Sequence, residues 1–295
     1  MRTLMLHGHS TSAFIFKAQT GSLMKKAILK LKMELTSMEI GPLRSNLDRS
    51  FTFDFIDGPH ATEPPRGLKM VLSKAYRWIE TPTAESMQST VDWLQAYLDK
   101  KGPYDCVCCF SKASAVIASA LLVHARKTPT KPPPFKAAIF INGSIEYSVF
   151  DAEGMPQDWV TQEARDIKDQ TEGMVRDKVG AMSNLASTYM KSTGLWDDTS
   201  QLVHDPTELP PPSSCFGLDF TALPADLAIT IPTVHMYGAK DPIWPSSIQL
   251  AYLCDPGCRV MYDHQGGHDV PRSKEVAADM ANMFRRLAKE IGSGK

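Results

Sequence analysis

The chain reads Asp105-Cys106-Val107-Cys108-Cys109-Phe110-Ser111-Lys112-Ala113-Ser114-Ala115 where a short apolar run meets a serine and then a helix-forming run. A short apolar run beside a polar turn predicts a buried strand, and the alanine-rich run after Ser111 predicts a helix. A sharp turn between such elements can lift a serine above the sheet edge, which is the setting of a nucleophile elbow. An ordinary strand–loop–helix unit with a surface serine is the alternative.

A reactive serine needs a base that takes its proton and an acid that orients the base. In the fold that carries nucleophile elbows, these residues follow one another in the order serine, acid, base. Asp241 comes shortly after a predicted strand at residues 233–237 and the turn residue Gly238. Catalytic loops of open α/β sheets gather at such carboxyl ends of strands. We therefore predict that Asp241 is the acid.

Two histidines that follow a predicted strand at residues 259–262 compete for the role of the base. His268 follows Gly266 and Gly267 and precedes a predicted helix, so its loop can turn back over the sheet edge. His264 lies closer to the strand, where packing or a local hydrogen bond is expected. The four-residue spacing of the two histidines would suit a metal on a helix, which the two glycines disfavour. We predict His268 as the base and no metal.

An oxyanion hole needs two backbone N–H groups that point at the developing negative charge. The residue after the nucleophile, Lys112, supplies the first. A loop after the early predicted strand at residues 3–6 supplies the second. Gly8 in this loop lets the backbone approach a ligand closely, so the amide of His9 or Ser10 is the expected donor.

Three further places in the chain carry a recognisable pattern. They are Leu6-His7-Gly8 with Ser12 and Phe16-Lys17-Ala18-Gln19-Thr20-Gly21-Ser22-Leu23, then Phe53-Asp54-Phe55-Ile56-Asp57-Gly58-Pro59-His60, and finally Gly238-Ala239-Lys240-Asp241-Pro242 with Gly266-Gly267-His268-Asp269-Val270-Pro271. With them the chain resembles the FSH family of serine hydrolases, a largely fungal branch of the α/β-hydrolase superfamily. The resemblance implies ester or thioester cleavage through an acyl-enzyme. Several members serve polyketide pathways of fungal secondary metabolism, so it also implies release or trimming of a polyketide-type acyl chain, free or bound to a carrier protein.

The elbow departs from the pattern of that family, which usually reads G-F-S-Q-G-A. This chain reads Cys109-Phe110-Ser111-Lys112-Ala113-Ser114 at the same place. Two other functions therefore stay open. One is a non-hydrolytic enzyme, a cyclase or lyase for a polyketide-like intermediate, in which His268 or Asp241 acts as a simple acid or base. The other is a catalytically silent binding protein.

The composition is that of an ordinary soluble globular protein. The 295 residues are 43% hydrophobic and 22% charged, with a formal net charge of -1, so no global field attracts nucleic acid or an anionic membrane. The clustered cysteines of the strand before Ser111 suit reduced, buried thiols. No secretory signal, bilayer-spanning run or nucleotide-binding motif is evident. We expect a cytoplasmic enzyme without a cofactor, and its oligomeric state is left open.

Alternating strand and helix signals predict a mostly parallel sheet with helices on both faces. Strands are expected at residues 3–6, 51–56, 106–110, 137–141, 233–237 and 259–262, and helices at 16–35, 84–100, 113–126 and 272–291. The whole chain, 1–295, is expected to form one α/β-hydrolase domain in which residues 145–230 are an inserted lid. Trp159, Met174, Met182, Tyr189, Met190 and Trp196 would then line a pocket, or pack as the small core of a surface subdomain.

Overall fold

A computed structural model describes residues 1–21, 43–65, 68–69, 71–152, 155, 158–185, 194–205 and 207–292. Its main feature is a six-stranded sheet in the order β2-β1-β5-β6-β7-β8, and every pairing in it is parallel. The strands are β1 (Arg2–Leu6), β2 (Thr52–Ile56), β5 (Cys106–Phe110), β6 (Ala137–Ile141), β7 (Thr233–Tyr237) and β8 (Arg259–Asp263). A separate antiparallel pair consists of β3 (His60–Thr62) and β4 (Ala75–Arg77).

Helices cover both faces of the sheet, as the α/β-hydrolase fold requires. They are Ala13–Gln19, Ala84–Lys101, Lys112–Lys127, Ser148–Ala152, Gln162–Leu185, Trp244–Tyr252 and Lys274–Gly292. The central strand β5 shows how the core divides. Cys106 and Cys108 join the apolar cluster that contains Phe284 of the last helix, whereas Val107 and Cys109 join the cluster on the opposite face. This alternation is the period of two that a buried strand imposes.

The predicted α/β-hydrolase fold is confirmed, and each of the six predicted strands lies within one residue of its observed bounds. The predicted helix at 16–35 is seen as Ala13–Gln19, and its part from residue 22 onward lies outside the described residues. The helix Trp244–Tyr252 was not predicted, because it is buried on nearly all sides and lacks the exposed polar face that marks a surface helix. The pair β3 and β4 was missed because strands of three residues are too short for a period to emerge.

The segment between β6 and β7 contains the residues predicted to form a lid. Part of it joins the apolar cluster that contains Val107 on one face of the sheet, and there the Trp159 ring lies 4.9 Å from Phe150 and 5.6 Å from Phe220 between centroids. Trp159 is therefore a core residue. Trp196 lies instead beside the loop that carries His268. The side chains of residues 182, 189 and 190 lie outside the described part. Within the described ranges, no helix combines the length and the apolar character needed to cross a membrane.

Candidate active site

Ser111 lies on a sharp turn between β5 and the helix Lys112–Lys127. Its backbone has φ 56° and ψ -126°, a strained conformation for a residue with a side chain. Its N–H donates a hydrogen bond to the carbonyl of Ile141 at 2.9 Å, which continues the pairing of β5 with β6. Cys109 and Ala113, which replace the usual glycines, are both fully buried. The turn thus forms with these side chains in place.

The thiol of Cys109 lies in the same strand as the turn but is not a competing nucleophile. Burial raises its pKa to about 12, so it stays protonated at neutral pH. Its Sγ lies 3.6 Å from the carbonyl oxygen of Ile139, to which it donates. Cys109 therefore fills space in the core.

The structure brings Ser111, His268 and Asp241 into one chain of hydrogen bonds. The Ser111 Oγ lies 2.9 Å from His268 Nε2, and His268 Nδ1 lies 2.9 Å from Asp241 Oδ2. Asp241 is fully buried, and its Oδ1 accepts the N–H of Ile243 at 3.0 Å. The carboxylate accepts the Nδ1 proton, which leaves Nε2 free to accept the serine proton.

The surroundings of His268 favour its protonated form. Burial alone would lower the pKa of His268, but the Asp241 carboxylate outweighs burial and raises the pKa above its usual 6.5. Asp269 and Glu172 add to this effect. An imidazole of this kind accepts a proton more readily than a free histidine does.

The loop after β1 runs directly beside the serine turn. A Cβ placed on Gly8 would lie 2.7 Å from Phe110 Cδ1 and 3.7 Å from Ser111 Cβ, so only glycine lets the loop come this close. His9 and Ser10 follow at the carboxyl end of β1, and Ser10 has a φ of 52°. Lys112 is the first residue of its helix, so its N–H has no acceptor within the helix.

His7 holds this loop in place through three hydrogen bonds. Its Nδ1 donates to the Gly8 carbonyl at 2.7 Å, and its Nε2 accepts the N–H of Gly58 at 3.1 Å. The Trp78 indole N–H donates to the His7 carbonyl at 2.7 Å. Burial lowers the pKa of His7 to about 4, so the ring stays neutral and keeps this pattern at physiological pH.

A cluster of four charged side chains lies against the start of the serine helix. Lys112 Nζ lies 2.6 Å from Glu146 Oε2 and 3.2 Å from Glu172 Oε1. Lys168 Nζ lies 3.4 Å from Glu146 Oε1 and 2.6 Å from Glu172 Oε1. We call these residues the four-charge cluster. Burial alone would raise the pKa of Glu172, but Lys168 and Lys112 outweigh it and lower the pKa to about 2.

We expect Lys112→Met to lower the free energy of unfolding by about 3 kcal/mol, because it leaves the buried Glu146 carboxylate with only one cation. The change spares the backbone amide of residue 112. The matched control is Lys69→Met, which breaks an exposed pair with Glu63 and should leave stability unchanged. Urea unfolding followed by circular dichroism measures both. If Lys112→Met and Lys69→Met unfold at the same urea concentration and with the same dependence of free energy on urea, Lys112 does not stabilise the fold through Glu146.

Trp196 covers the loop that carries His268. Its Nε1 donates to Asp269 Oδ2 at 2.6 Å, and its ring centroid lies 6.2 Å from that of His268. A Cβ on Gly267 would lie 2.0 Å from Trp196 Cγ, so residue 267 must be glycine for the indole to rest there. The other histidine, His264, stands outside the Ser111–His268–Asp241 chain, and its Nε2 lies 2.8 Å from Asn142 Oδ1.

A family model described as serine hydrolase (FSH1) matches residues 1–280. Similar curated proteins include Hydrolase phiM from a fungal species, which is 30% identical over 100% of this chain and 98% of its own length. Hydrolase FUB4 of Fusarium oxysporum f. sp. lycopersici is 26% identical over 96% of this chain and 97% of its own length. Esterase FPY3 of Fusarium mangiferae is 23% identical over 100% of both chains.

Proposed function

Because the chain belongs to the FSH1 family of serine hydrolases, we propose that Ser111, His268 and Asp241 are the catalytic triad of an esterase or thioesterase. The observation that carries this proposal is the 2.9 Å contact between Ser111 Oγ and His268 Nε2 at a turn with positive φ. A serine that serves only structure has no need of that strained backbone together with a buried histidine–carboxylate pair.

In the proposed mechanism, Ser111 Oγ attacks the acyl carbonyl while His268 Nε2 takes its proton. The oxygen gains negative charge, which the N–H of Lys112 and that of His9 or Ser10 stabilise. Collapse breaks the bond to the leaving group, which receives the proton from His268. Water then gives a proton to His268 and attacks the acyl-enzyme, and Ser111 recovers its proton as the acid leaves. The Asp241 carboxylate orients His268 and stabilises the imidazolium.

We extend the proposal to a polyketide-type acyl chain of fungal secondary metabolism, presented as a small molecule or on a carrier protein. The support is the family resemblance together with the hydrolase and esterase names of the fungal relatives. We place the reaction in the cytoplasm, because the six cysteines are free thiols, which suits a reducing compartment.

Matched oxygen and sulfur esters test the proposed reaction. The protein is given p-nitrophenyl esters and N-acetylcysteamine thioesters of the same acyl chains, and intact mass is measured after a fluorophosphonate treatment. We expect turnover of at least one series and a single adduct on Ser111. The ratio of kcat/KM between the two series assigns esterase or thioesterase. A folded protein with neither turnover nor an adduct would overturn the proposal.

We also propose that residues 145–230 cap the site as a lid. Two described contacts support this. The first is the packing of Trp196 against Gly267, beside His268. The second is the pairing of Lys112, next to the nucleophile, with Glu146 and Glu172 of this segment. Each contact links the segment to a residue next to Ser111 or His268, and this supports a cap over the site.

We expect Trp196→Ala to weaken the preference for long acyl chains, since we propose that a long chain bound beside His268 packs against this indole. Each buried CH₂ group contributes about 0.8 kcal/mol, so losing contact with two of them lowers kcat/KM for long esters about tenfold. Short esters should change much less. The measurement is kcat/KM along a p-nitrophenyl series from acetate to decanoate, with Trp93→Ala, which stacks on Tyr97, as the control. If log kcat/KM rises with acyl-chain length equally steeply in the wild type and in Trp196→Ala, the acyl chain does not contact the indole.

A further inference from the structure

Asn142, the residue directly after β6, reaches the loop that carries the base. It is fully buried and has a φ of 45°. Its Nδ2 donates to the carbonyl of Gly267 at 2.8 Å and to that of Asp269 at 3.2 Å. These two carbonyls belong to the residues on either side of His268. One amide group therefore fixes the backbone on both sides of the proposed base.

His264 completes the arrangement from the start of the same loop. Its Nε2 donates to Asn142 Oδ1 at 2.8 Å, while its Nδ1 accepts the N–H of Gly266 at 3.2 Å. Both nitrogens are thus used in one tautomer, with the proton on Nε2. Because Asn142 Oδ1 accepts this bond, the amide cannot flip without placing an N–H against an N–H.

The same residue is anchored to the strand that precedes the acid. The backbone N–H of Asn142 donates to the Met236 carbonyl of β7 at 2.7 Å. Asp241 follows β7 by four residues. The positive φ of Asn142 is a conformation that asparagine tolerates better than most residues do. Strain of this kind at a buried position beside a reacting group points to a functional constraint.

We propose that Asn142 and His264 are positioning residues that hold His268 in line with Ser111 throughout the reaction. This inference rests on the proposed function. A loop with two consecutive glycines has many accessible conformations, and a displacement of about 1 Å at a reacting group can cost about 10²-fold in rate. The amide removes this freedom by binding both carbonyls next to the base. The described side-chain hydrogen bonds of both residues run to each other and to the loop that carries His268.

The test compares His264→Leu with His264→Gln. Glutamine can donate to Asn142 and accept from Gly266, so it retains the arrangement that leucine removes. We expect His264→Leu to lower kcat about 10- to 100-fold with KM changed less than about twofold, and His264→Gln to recover most of kcat. Asn142→Gly, which tolerates the positive φ, should match His264→Leu. The double variant should be no worse than the worse single, because both changes break one network.

Thermal unfolding of each variant separates positioning from loss of fold, and Asn142→Gly and His264→Gln keep the test open if His264→Leu does not fold. Unchanged kcat in the folded variants beside an active wild type would overturn the positioning role and leave the proposed function standing. A glutamine variant as slow as the leucine variant, or a change confined to KM, would also overturn it. A wild type without turnover or fluorophosphonate reaction would overturn the proposed function and the positioning role together.

Discussion

Ser111→Ala is expected to lower kcat by about four to six orders of magnitude, because removal of a triad nucleophile leaves only binding and oxyanion stabilisation. The fold should survive, since alanine is smaller and the Ser111 side chain makes its described hydrogen bond to His268 alone. Stopped-flow and steady-state hydrolysis of the best p-nitrophenyl ester measure the loss. The burst of p-nitrophenol that marks an acyl-enzyme should vanish as well.

Ser114 offers a matched control for this experiment. It lies one turn further along the same helix and is fully buried, and its hydroxyl faces the Cys109 thiol. Ser114→Ala removes the same atom from the same helix without touching His268, so kcat should stay within about twofold of wild type. Comparable losses in both variants would point to helix packing and against a nucleophilic Ser111.

Asp241→Asn is expected to lower kcat about 10⁴-fold with the fold intact, as an asparagine amide at this place stabilises the wrong histidine tautomer. The remaining activity should also change its pH dependence. In the wild type, Asp241 raises the pKa of His268 above 6.5, and only the neutral imidazole can accept a proton. Activity must therefore fall as the pH drops through a value above 6.5. Without the carboxylate, the pKa of His268 falls, and this acid limb should move to lower pH.

The profile of kcat/KM between pH 5 and 9 measures this change. Asp255→Asn is the control, because Asp255 also accepts a backbone N–H, from Gly257 at 2.7 Å, but in the turn before β8, whereas His268 follows the carboxyl end of that strand. Its profile should overlay that of the wild type. An acid limb that stays at the same pH in Asp241→Asn would show that another group controls it.

The sequence predicted well what depends on local order along the chain. The elbow at Ser111 could be predicted because an apolar run directly precedes this serine and a helix-forming run directly follows it. Asp241 and His268 could be placed together because the carboxyl ends of parallel strands share one edge. The preference for His268 over His264 came from the two glycines between them, and in the structure His268 is the one beside Ser111.

The sequence could not reveal contacts between residues that lie far apart along the chain. Nothing near Lys112 indicates that Glu146 and Glu172 neutralise its side chain. The packing of Trp196 against Gly267 depends on how the long segment between β6 and β7 folds back onto the loop that carries His268. The positive φ of Asn142 leaves no trace in a pattern of apolar residues, because asparagine before glycine is read as a plain turn. Such contacts arise from tertiary packing.

The four-charge cluster limits how this enzyme could be redesigned. None of the three residues of the proposed triad belongs to the segment between β6 and β7, so grafting that segment from another hydrolase looks like a simple way to change selectivity. Yet three of the four charges, those of Glu146, Lys168 and Glu172, would leave with the donor segment. Lys112 would remain as an unmatched cation next to the nucleophile. A working chimera therefore has to exchange residue 112 together with the segment, because the two form one electrostatic unit.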